Sequence, residues 1–168
     1  MTTTLIHPLT ALIEGVRTAV TKHANWSDTA DLVSDQLRLH LPRPEDILTA
    51  EQRDGSPESY RSHTLHVEPD GSFSIIGLVW RPGQITRIHD HVTWCVFGVL
   101  QGVEHEELFD ADLRLLGESD NKVGDVSGFA PPGDIHRVHN TTDTTAISLH
   151  IYGTDVTRIG SSVRRYYD

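Results

Sequence analysis

The feature that most restricts the fold of this chain is a run of short apolar segments that begins near residue 60 and continues to residue 152. Turn residues such as Glu68-Pro69-Asp70-Gly71 interrupt the run at short intervals. Segments of this length and spacing are typical of β-strands, and a succession of them predicts a sandwich or barrel. We therefore expect a mainly β protein, with Leu65 and Val67 on one face of the first strand.

The first fifty residues have a different periodicity. Apolar residues recur at helical spacing from residue 9 to residue 20 and again from residue 32 to residue 41, which predicts two amphipathic helices. Either Ser27 or Asp28 is expected to cap the second helix, and Pro42 to end it. Polar composition predicts a loop at residues 51–59 and a turn at residues 117–122.

Charge and composition exclude several classes of protein. The formal net charge is -10, from 24 acidic and 14 basic residues, and the basic residues do not cluster, so we expect no nucleic-acid or membrane partner. The sequence has no apolar run of transmembrane length, and its N-terminus lacks the basic and apolar regions of a signal peptide. Cys95 is the one cysteine, so no internal disulfide forms. We predict a soluble cytoplasmic protein that is a monomer or a homodimer.

Two histidine motifs predict a metal site. His89 and His91 are two residues apart, so on a β-strand both imidazoles leave the same face and can bind one ion together. His136 follows a Pro131-Pro132-Gly133 turn and supplies a third imidazole from a distant part of the chain. Three histidines suit an open metal site, in which some coordination positions remain for a substrate. The sequence therefore predicts a small metalloenzyme.

The spacing within these two motifs resembles that of the cupins. The matching residues are Gly83, His89, His91 and Gly102 in the first motif and Pro131, Gly133, His136 and Asn140 in the second. The resemblance implies a single cupin domain over residues 1–168: a helical region at residues 1–50, a double-stranded β-helix, or jelly-roll barrel, at residues 60–153, and a C-terminal tail at residues 154–168. Cys95 stands where most metal cupins have a glutamate ligand, which would leave the ion with three neutral imidazoles.

A three-histidine cupin with a cysteine at this position resembles the cysteine dioxygenase family of thiol dioxygenases. The segment Ser148-Leu149-His150-Ile151-Tyr152 matches the Ser-x-His-x-Tyr strand of that family, and its three polar side chains share one strand face. The resemblance implies iron(II) as the cofactor, a small thiol and O2 as the substrates, and a sulfinic acid as the product. It further implies that the iron ligands are His89, His91 and His136, and that the catalytic residues are Tyr152, His150, Ser148 and Cys95.

The resemblance leaves several choices open. Cys95 either forms the thioether link to Tyr152 that some family members have or remains a free core cysteine. The substrate is either cysteine or 3-mercaptopropionate, since the chain combines features of both branches of the family. Its carboxylate is expected to pair with the guanidinium of Arg61, or else with a C-terminal arginine: Arg158, Arg164 or Arg165. The rival functions are a three-histidine dioxygenase of a non-thiol substrate such as a diketone and a non-catalytic ligand-binding cupin.

Overall fold

Two strands, Ser74–Trp80 and Ala146–Tyr152, are buried at every position, and apolar residues occupy most positions of each. A strand of this kind needs cover on both faces of its sheet. In the computed structural model, which describes residues 7–168, one face of this sheet packs against helices and the other faces a second sheet. Residues 1–6, on which most of the signal-peptide prediction falls, lie outside the described residues.

The helices precede the strands, apart from one short helix near the C-terminus. The helices are α1 Thr10–Val20, α2 Trp26–Leu39, α3 Pro44–Ile47, α4 Ala50–Asp54 and α5 Val156–Ile159. The strands are β1 Arg61–Val67, β2 Ser74–Trp80, β3 His89–His91, β4 Cys95–Gln101, β5 Val103–Phe109, β6 Leu115–Lys122, β7 Val126–Phe129, β8 His136–His139, β9 Ala146–Tyr152 and β10 Val163–Tyr166. They form two five-stranded sheets with the orders β1-β2-β9-β4-β7 and β10-β3-β8-β5-β6. None of the helices within residues 7–168 is long and apolar enough to cross a membrane.

Helices α1 and α2 cover the outer face of the first sheet. Val33 and Leu37 of α2 are buried in one apolar cluster with Val96 of β4. Helix and sheet approach so closely at Gly128 of β7 that an added Cβ atom would lie 2.5 Å from Oγ of Ser34. Glycine, which has no side chain, allows this approach. The helical region therefore forms the outer wall of the first sheet and leaves its inner face to the barrel.

The structure corrects two local predictions for the N-terminal region. Asn25, rather than Ser27 or Asp28, caps α2, because its side-chain oxygen accepts the backbone N–H of Asp28 at 2.8 Å. Part of the predicted loop at residues 51–59 belongs to α4, which begins with a capping box. Caps of this kind depend on only a few polar residues, so apolar periodicity alone does not reveal them.

The second sheet contains two segments that were not predicted as strands. The predicted turn at residues 117–122 is part of the edge strand β6, whose mostly exposed side chains show no apolar alternation. The predicted tail at residues 154–168 contains α5 and β10, and β10 pairs with β3. Asp90 of β3 is 3% exposed and accepts hydrogen bonds from Arg164 at 3.2 Å and from the Tyr167 hydroxyl at 2.8 Å. These contacts hold the C-terminal strand against the strand that carries the first two histidines.

Candidate metal centre and active site

The three histidines predicted to bind a metal meet in the barrel interior. His89 and His91 lie at the two ends of β3, and alternation along the strand turns both side chains inward. His136 begins β8, directly opposite His89 in the β3–β8 ladder. One ring nitrogen of each histidine lies within 4.8 Å of the other two, and the exposed fractions of the residues are 7%, 2% and 3%. The cluster could hold one metal ion.

Each of these histidines has a hydrogen-bond acceptor for its Nδ1 atom. The Nδ1–acceptor distances are 2.7 Å for His89 and the Arg87 carbonyl oxygen, 3.0 Å for His91 and Asp134, and 2.7 Å for His136 and Glu106. An acceptor at Nδ1 places the ring proton there and leaves the Nε2 lone pair free. All three rings are therefore oriented by the protein to offer Nε2 to a metal.

Burial keeps the imidazoles of His89 and His136 in the form that binds a metal. It lowers the pKa of His89 to about 3, with a smaller contribution from the neighbouring His136 and His91, and it lowers the pKa of His136 to about 3. Both rings are neutral at neutral pH, so metal binding requires no proton release from them. Neutral imidazoles suit first-row transition metals, whereas magnesium and calcium prefer oxygen ligands. The donor set thus fits the metal cofactor that the sequence predicted.

A hydrogen-bonded chain of polar side chains, which we call the relay, lies on β9 beside the histidines. It consists of Ser148, His150 and Tyr152, which alternate along the strand and are all buried. Oγ of Ser148 lies 3.0 Å from Nε2 of His150, and Oη of Tyr152 lies 3.3 Å from Nδ1 of His150. The ring centroids of Tyr152 and His91 are 6.2 Å apart. The relay therefore ends next to the metal histidines.

The buried surroundings also fix the protonation states of the relay. Burial lowers the pKa of His150 well below its usual value, and the neighbouring His136 and His91 lower it further. Burial raises the pKa of Tyr152 well above its usual value, and Cys95 adds to this effect. At neutral pH the imidazole is therefore uncharged and the tyrosine keeps its O–H. Tyr152 can act as a hydrogen-bond donor at the site.

Cys95 lies directly opposite Tyr152 in the β4–β9 ladder. The residue is 1% exposed and belongs to an apolar cluster that includes Tyr152. Burial raises the pKa of its thiol, and the nearby Tyr152 hydroxyl opposes this only in part. Among residues 7–168, Cys95 is not grouped with the possible metal ligands. The cysteine thus neighbours the relay tyrosine and leaves the metal site with its three imidazoles.

A cavity of about 330 Å³ opens in front of the metal histidines and Tyr152. Ile76 and Leu78 form part of its wall. The other wall residues include many with hydroxyl groups, namely Tyr60, Ser62, Thr64, Thr86, Thr157, Ser161, Ser162 and Tyr166. Within residues 7–168, no lysine or arginine is among the residues that line it. The cavity is large enough for a small polar molecule.

The structure does not place Arg61, the residue predicted to bind the substrate, among the residues that line the cavity. Arg61 pairs with Glu58 at 3.2 Å, whereas Ser62 and Thr64 of the same strand line the cavity. Leu65, on the same strand face as Arg61, packs against the apolar cluster under the helices. Arg61, which pairs with Val79 of that cluster, therefore lies on the outer face of β1.

The C-terminal arginines also lie outside the cavity lining. Arg164 binds Asp90, and the guanidinium of Arg165 lies 4.2 Å from the centre of the Tyr167 ring. Arg158 is exposed in α5. None of the three is among the residues that line the cavity in the described part of the chain. The three C-terminal arginines therefore either contact other residues or are exposed to solvent.

The acidic residues behind the histidines were not predicted from the sequence. Asp134 and Glu106 orient two of the rings, and Glu104 lies on the same inward face of β5 as Glu106. Signals for all three were present in the sequence. Asp134 is in the turn just before His136, and the two glutamates alternate within a predicted strand. Acidic residues at the buried positions of a strand indicate partners in the interior.

Comparison with known proteins agrees with this geometry. Residues 56–165, more than half of the chain, match a family model described as cysteine dioxygenase type I. Cysteine dioxygenase type 1 of Danio rerio is 29% identical over 140 residues, which cover 68% of this chain and 70% of the relative. Cysteine dioxygenase type 1 of Rattus norvegicus is 31% identical over 110 residues, which cover 56% of this chain and 52% of the relative. The chain thus spans about half the length of the rat protein it matches.

Two solved structures share the fold. A protein of Thermus thermophilus has a TM-score of 0.50 at 20% identity, covering 59% of this chain and 87% of that protein. A protein with a double-stranded beta-helix domain from Klebsiella pneumoniae has a TM-score of 0.50 at 16% identity, covering 62% and 85%. These likenesses confirm the predicted cupin fold. The family match and the curated relatives show that this chain, an oxygenase with a three-histidine metal site, belongs to the cysteine dioxygenase type I family.

Proposed function

We propose that this protein is an iron(II)-dependent thiol dioxygenase that uses O2 to convert a small thiol into its sulfinic acid. The observation that carries the proposal is the presence of three inward imidazoles and the Tyr152 hydroxyl at one cavity. The cavity volume of about 330 Å³ suits a thiol with few heavy atoms. Cysteine and 3-mercaptopropionate, both of which carry a carboxylate, are the substrates that we propose.

The three histidines His89, His91 and His136 would hold the iron through their Nε2 atoms, because their Nδ1 atoms already have acceptors. Iron(II), when bound, would favour the thiolate form of the substrate and supply the redox chemistry for its reaction with O2. The acceptors behind the rings keep the imidazoles in place during turnover.

The relay would provide a positioned hydrogen-bond donor. The Tyr152 hydroxyl keeps its proton at neutral pH and can donate to the substrate or to O2 in the cavity. His150 holds the tyrosine hydroxyl, and Ser148 holds His150, through the hydrogen bonds described above. Ile76 and Leu78 limit the access of water to the reacting atoms.

We propose an anchor other than Arg61 for the substrate carboxylate, because Arg61 is not among the residues that line the cavity. Tyr60, Ser62 and Thr64 present hydroxyl groups on the cavity wall formed by β1 and the residue before it. A hydroxyl can donate one hydrogen bond to a carboxylate, although it offers no charge. We therefore propose that hydroxyl donors, rather than a guanidinium, hold the carboxylate of the substrate.

The test is the O2 uptake of the iron-loaded protein with cysteine, 3-mercaptopropionate, cysteamine and a thiol-free diketone. We expect uptake with a carboxylate-bearing thiol, formation of the sulfinic acid, and no uptake with the diketone. His136→Ala should abolish the activity. Uptake with the diketone alone would favour the rival dioxygenase, and no uptake with any thiol would reject the proposal. A cytoplasmic location, a single domain and a monomeric or homodimeric state stay predictions.

A further inference from the structure

A fourth polar residue lies behind the relay. Glu104 of β5 is 0% exposed, and within residues 7–168 neither of its carboxyl oxygens has a hydrogen-bond partner. The Ser148 hydroxyl and the Trp80 indole N–H are polar neighbours of this carboxyl group. Burial raises the pKa of Glu104 to about 8, against the opposing effect of Ser148 and Trp80. At neutral pH the carboxyl group is therefore uncharged and carries an O–H.

The hydrogen-bonding capacity of Ser148 limits how the Glu104 carboxyl group can interact with it. A serine hydroxyl donates one hydrogen bond and accepts two, whereas an indole N–H can only donate. Nε1 of Trp80 lies 3.5 Å from Oγ of Ser148, so Ser148 is the acceptor in that contact. A second acceptor position remains for the O–H of Glu104. The single proton of Ser148 is then available for Nε2 of His150, 3.0 Å away.

The direction of the hydrogen bond between Glu104 and Ser148 decides the direction of the hydrogen bonds within the relay. If Ser148 donates to Nε2, the neutral ring of His150 carries its proton at Nδ1 and donates to Oη of Tyr152. The Tyr152 O–H is then not needed within the relay and can point into the cavity. If Glu104 instead accepts from Ser148, the order reverses, and Tyr152 donates its proton to His150.

We propose that Glu104 is a positioning residue that donates a hydrogen bond to Ser148 and thereby directs the relay so that the Tyr152 O–H faces the cavity. The effect on catalysis rests on the proposed function, but the direction of the relay is a property of the chain alone. The groups that face Glu104 are Glu106 on its own strand, Asn121 opposite it in the β5–β6 ladder, and Ser148 and Trp80 across the barrel. His150 lies beyond Ser148, to which it is hydrogen-bonded.

The first experiment measures the tautomer of His150 in the iron-free protein by 15N NMR. Near neutral pH we expect the Nδ1–H tautomer in the wild type and in Glu104→Gln, whose amide can still donate. Glu104→Leu, which cannot donate, should shift the ring toward the Nε2–H tautomer. Glu107→Gln is the control, because Glu107 is on the same strand but binds Arg137 at 2.7 Å. An Nε2–H tautomer in the wild type, or no response to Glu104→Leu, would overturn the proposal.

The second experiment measures thiol oxidation by the same iron-loaded variants. Glu104→Leu should lower kcat by about tenfold or more with unchanged KM and iron content, since it removes the orientation of a hydrogen-bond donor. The kcat of the wild type should fall above pH about 8, and Glu104→Gln should lack this fall. If the wild type oxidises no thiol but the His150 tautomer changes in Glu104→Leu, the proposed function fails and the relay assignment stands. If thiols are oxidised but neither tautomer nor kcat responds, the relay assignment fails.

Discussion

Nδ1 of His136 lies 2.7 Å from Oε2 of Glu106, and the two residues belong to neighbouring strands of the second sheet. The carboxyl group fixes the orientation and the tautomer of the ring from behind the metal site. Glu106 is 4% exposed, so water has little access to replace it as an acceptor. Metal affinity should therefore depend on a residue that does not itself bind the metal.

Replacing Glu106 by leucine tests this dependence. Glu106→Leu removes the acceptor of His136 and should lower the iron(II) affinity by roughly 10- to 100-fold, as expected for the loss of a partner behind a metal ligand. The measurement is anaerobic competition with a chelating indicator. Glu107→Gln is the matched control, because its side chain pairs with Arg137 outside the metal site. Equal affinities in Glu106→Leu and the wild type would contradict the assigned role.

Much of the site could be predicted from the sequence because it depends on strand periodicity and fixed motif spacing. His89 and His91 face inward together because they are two residues apart, and the same rule holds for the relay on β9. The third histidine, His136, was found through its spacing from the Pro131-Pro132-Gly133 turn. Each prediction needed only local geometry together with one motif.

The face of β1 that turns toward the cavity could not be predicted in this way. The first sheet is covered on both faces, and the side of β1 that carries Leu65 packs under the helices rather than inside the barrel. The polar side, with Ser62 and Thr64, faces the cavity. An apolar pattern shows which residues share a face, but it does not show which of two buried layers that face contacts. For this reason the sequence did not show which face of β1 lines the cavity.

The arrangement of β1 makes a prediction for substrate binding. Ser62→Ala should raise the KM for cysteine by about 5- to 10-fold, because it removes a hydroxyl donor from the cavity wall. Arg61→Ala should leave this KM within about twofold of the wild-type value, since its side chain pairs with Glu58 outside the cavity. Steady-state O2 uptake at a range of cysteine concentrations provides both values. A large increase in KM for Arg61→Ala alone would restore Arg61 as the anchor.

The pairing of Cys95 with Tyr152 predicts a covalent change during turnover. The two residues are directly opposite each other on adjacent strands, and their side chains share a buried cluster. We expect the iron-loaded protein, supplied with thiol and O2, to form a thioether between them with the loss of two hydrogen atoms. Intact-mass and peptide analysis would detect the link. Cys95→Ser and Tyr152→Phe should each prevent it, and an unchanged mass after many turnovers would show that Cys95 remains a free core cysteine.

The buried carboxyl of Glu104 predicts a pH-dependent stability in the iron-free protein. Its pKa is raised from an ordinary 4.5 to about 8, so the folded chain holds this proton over a pH range in which the unfolded chain has lost it. The contribution of Glu104 to stability is therefore complete below pH about 4.5 and is lost progressively as the pH rises to about 8. As the pH rises from about 4.5 to about 8, the unfolding free energy of Glu104→Gln, which does not ionise, should increase by a few kcal/mol relative to that of the wild type. Urea unfolding at both ends of the range measures the difference, and Glu107→Gln, whose parent carboxyl has a pKa lowered by its hydrogen bond with Arg137, should show no such gain. The same difference between Glu104→Gln and the wild type at both pH values would mean that Glu104 is ionised in the folded protein.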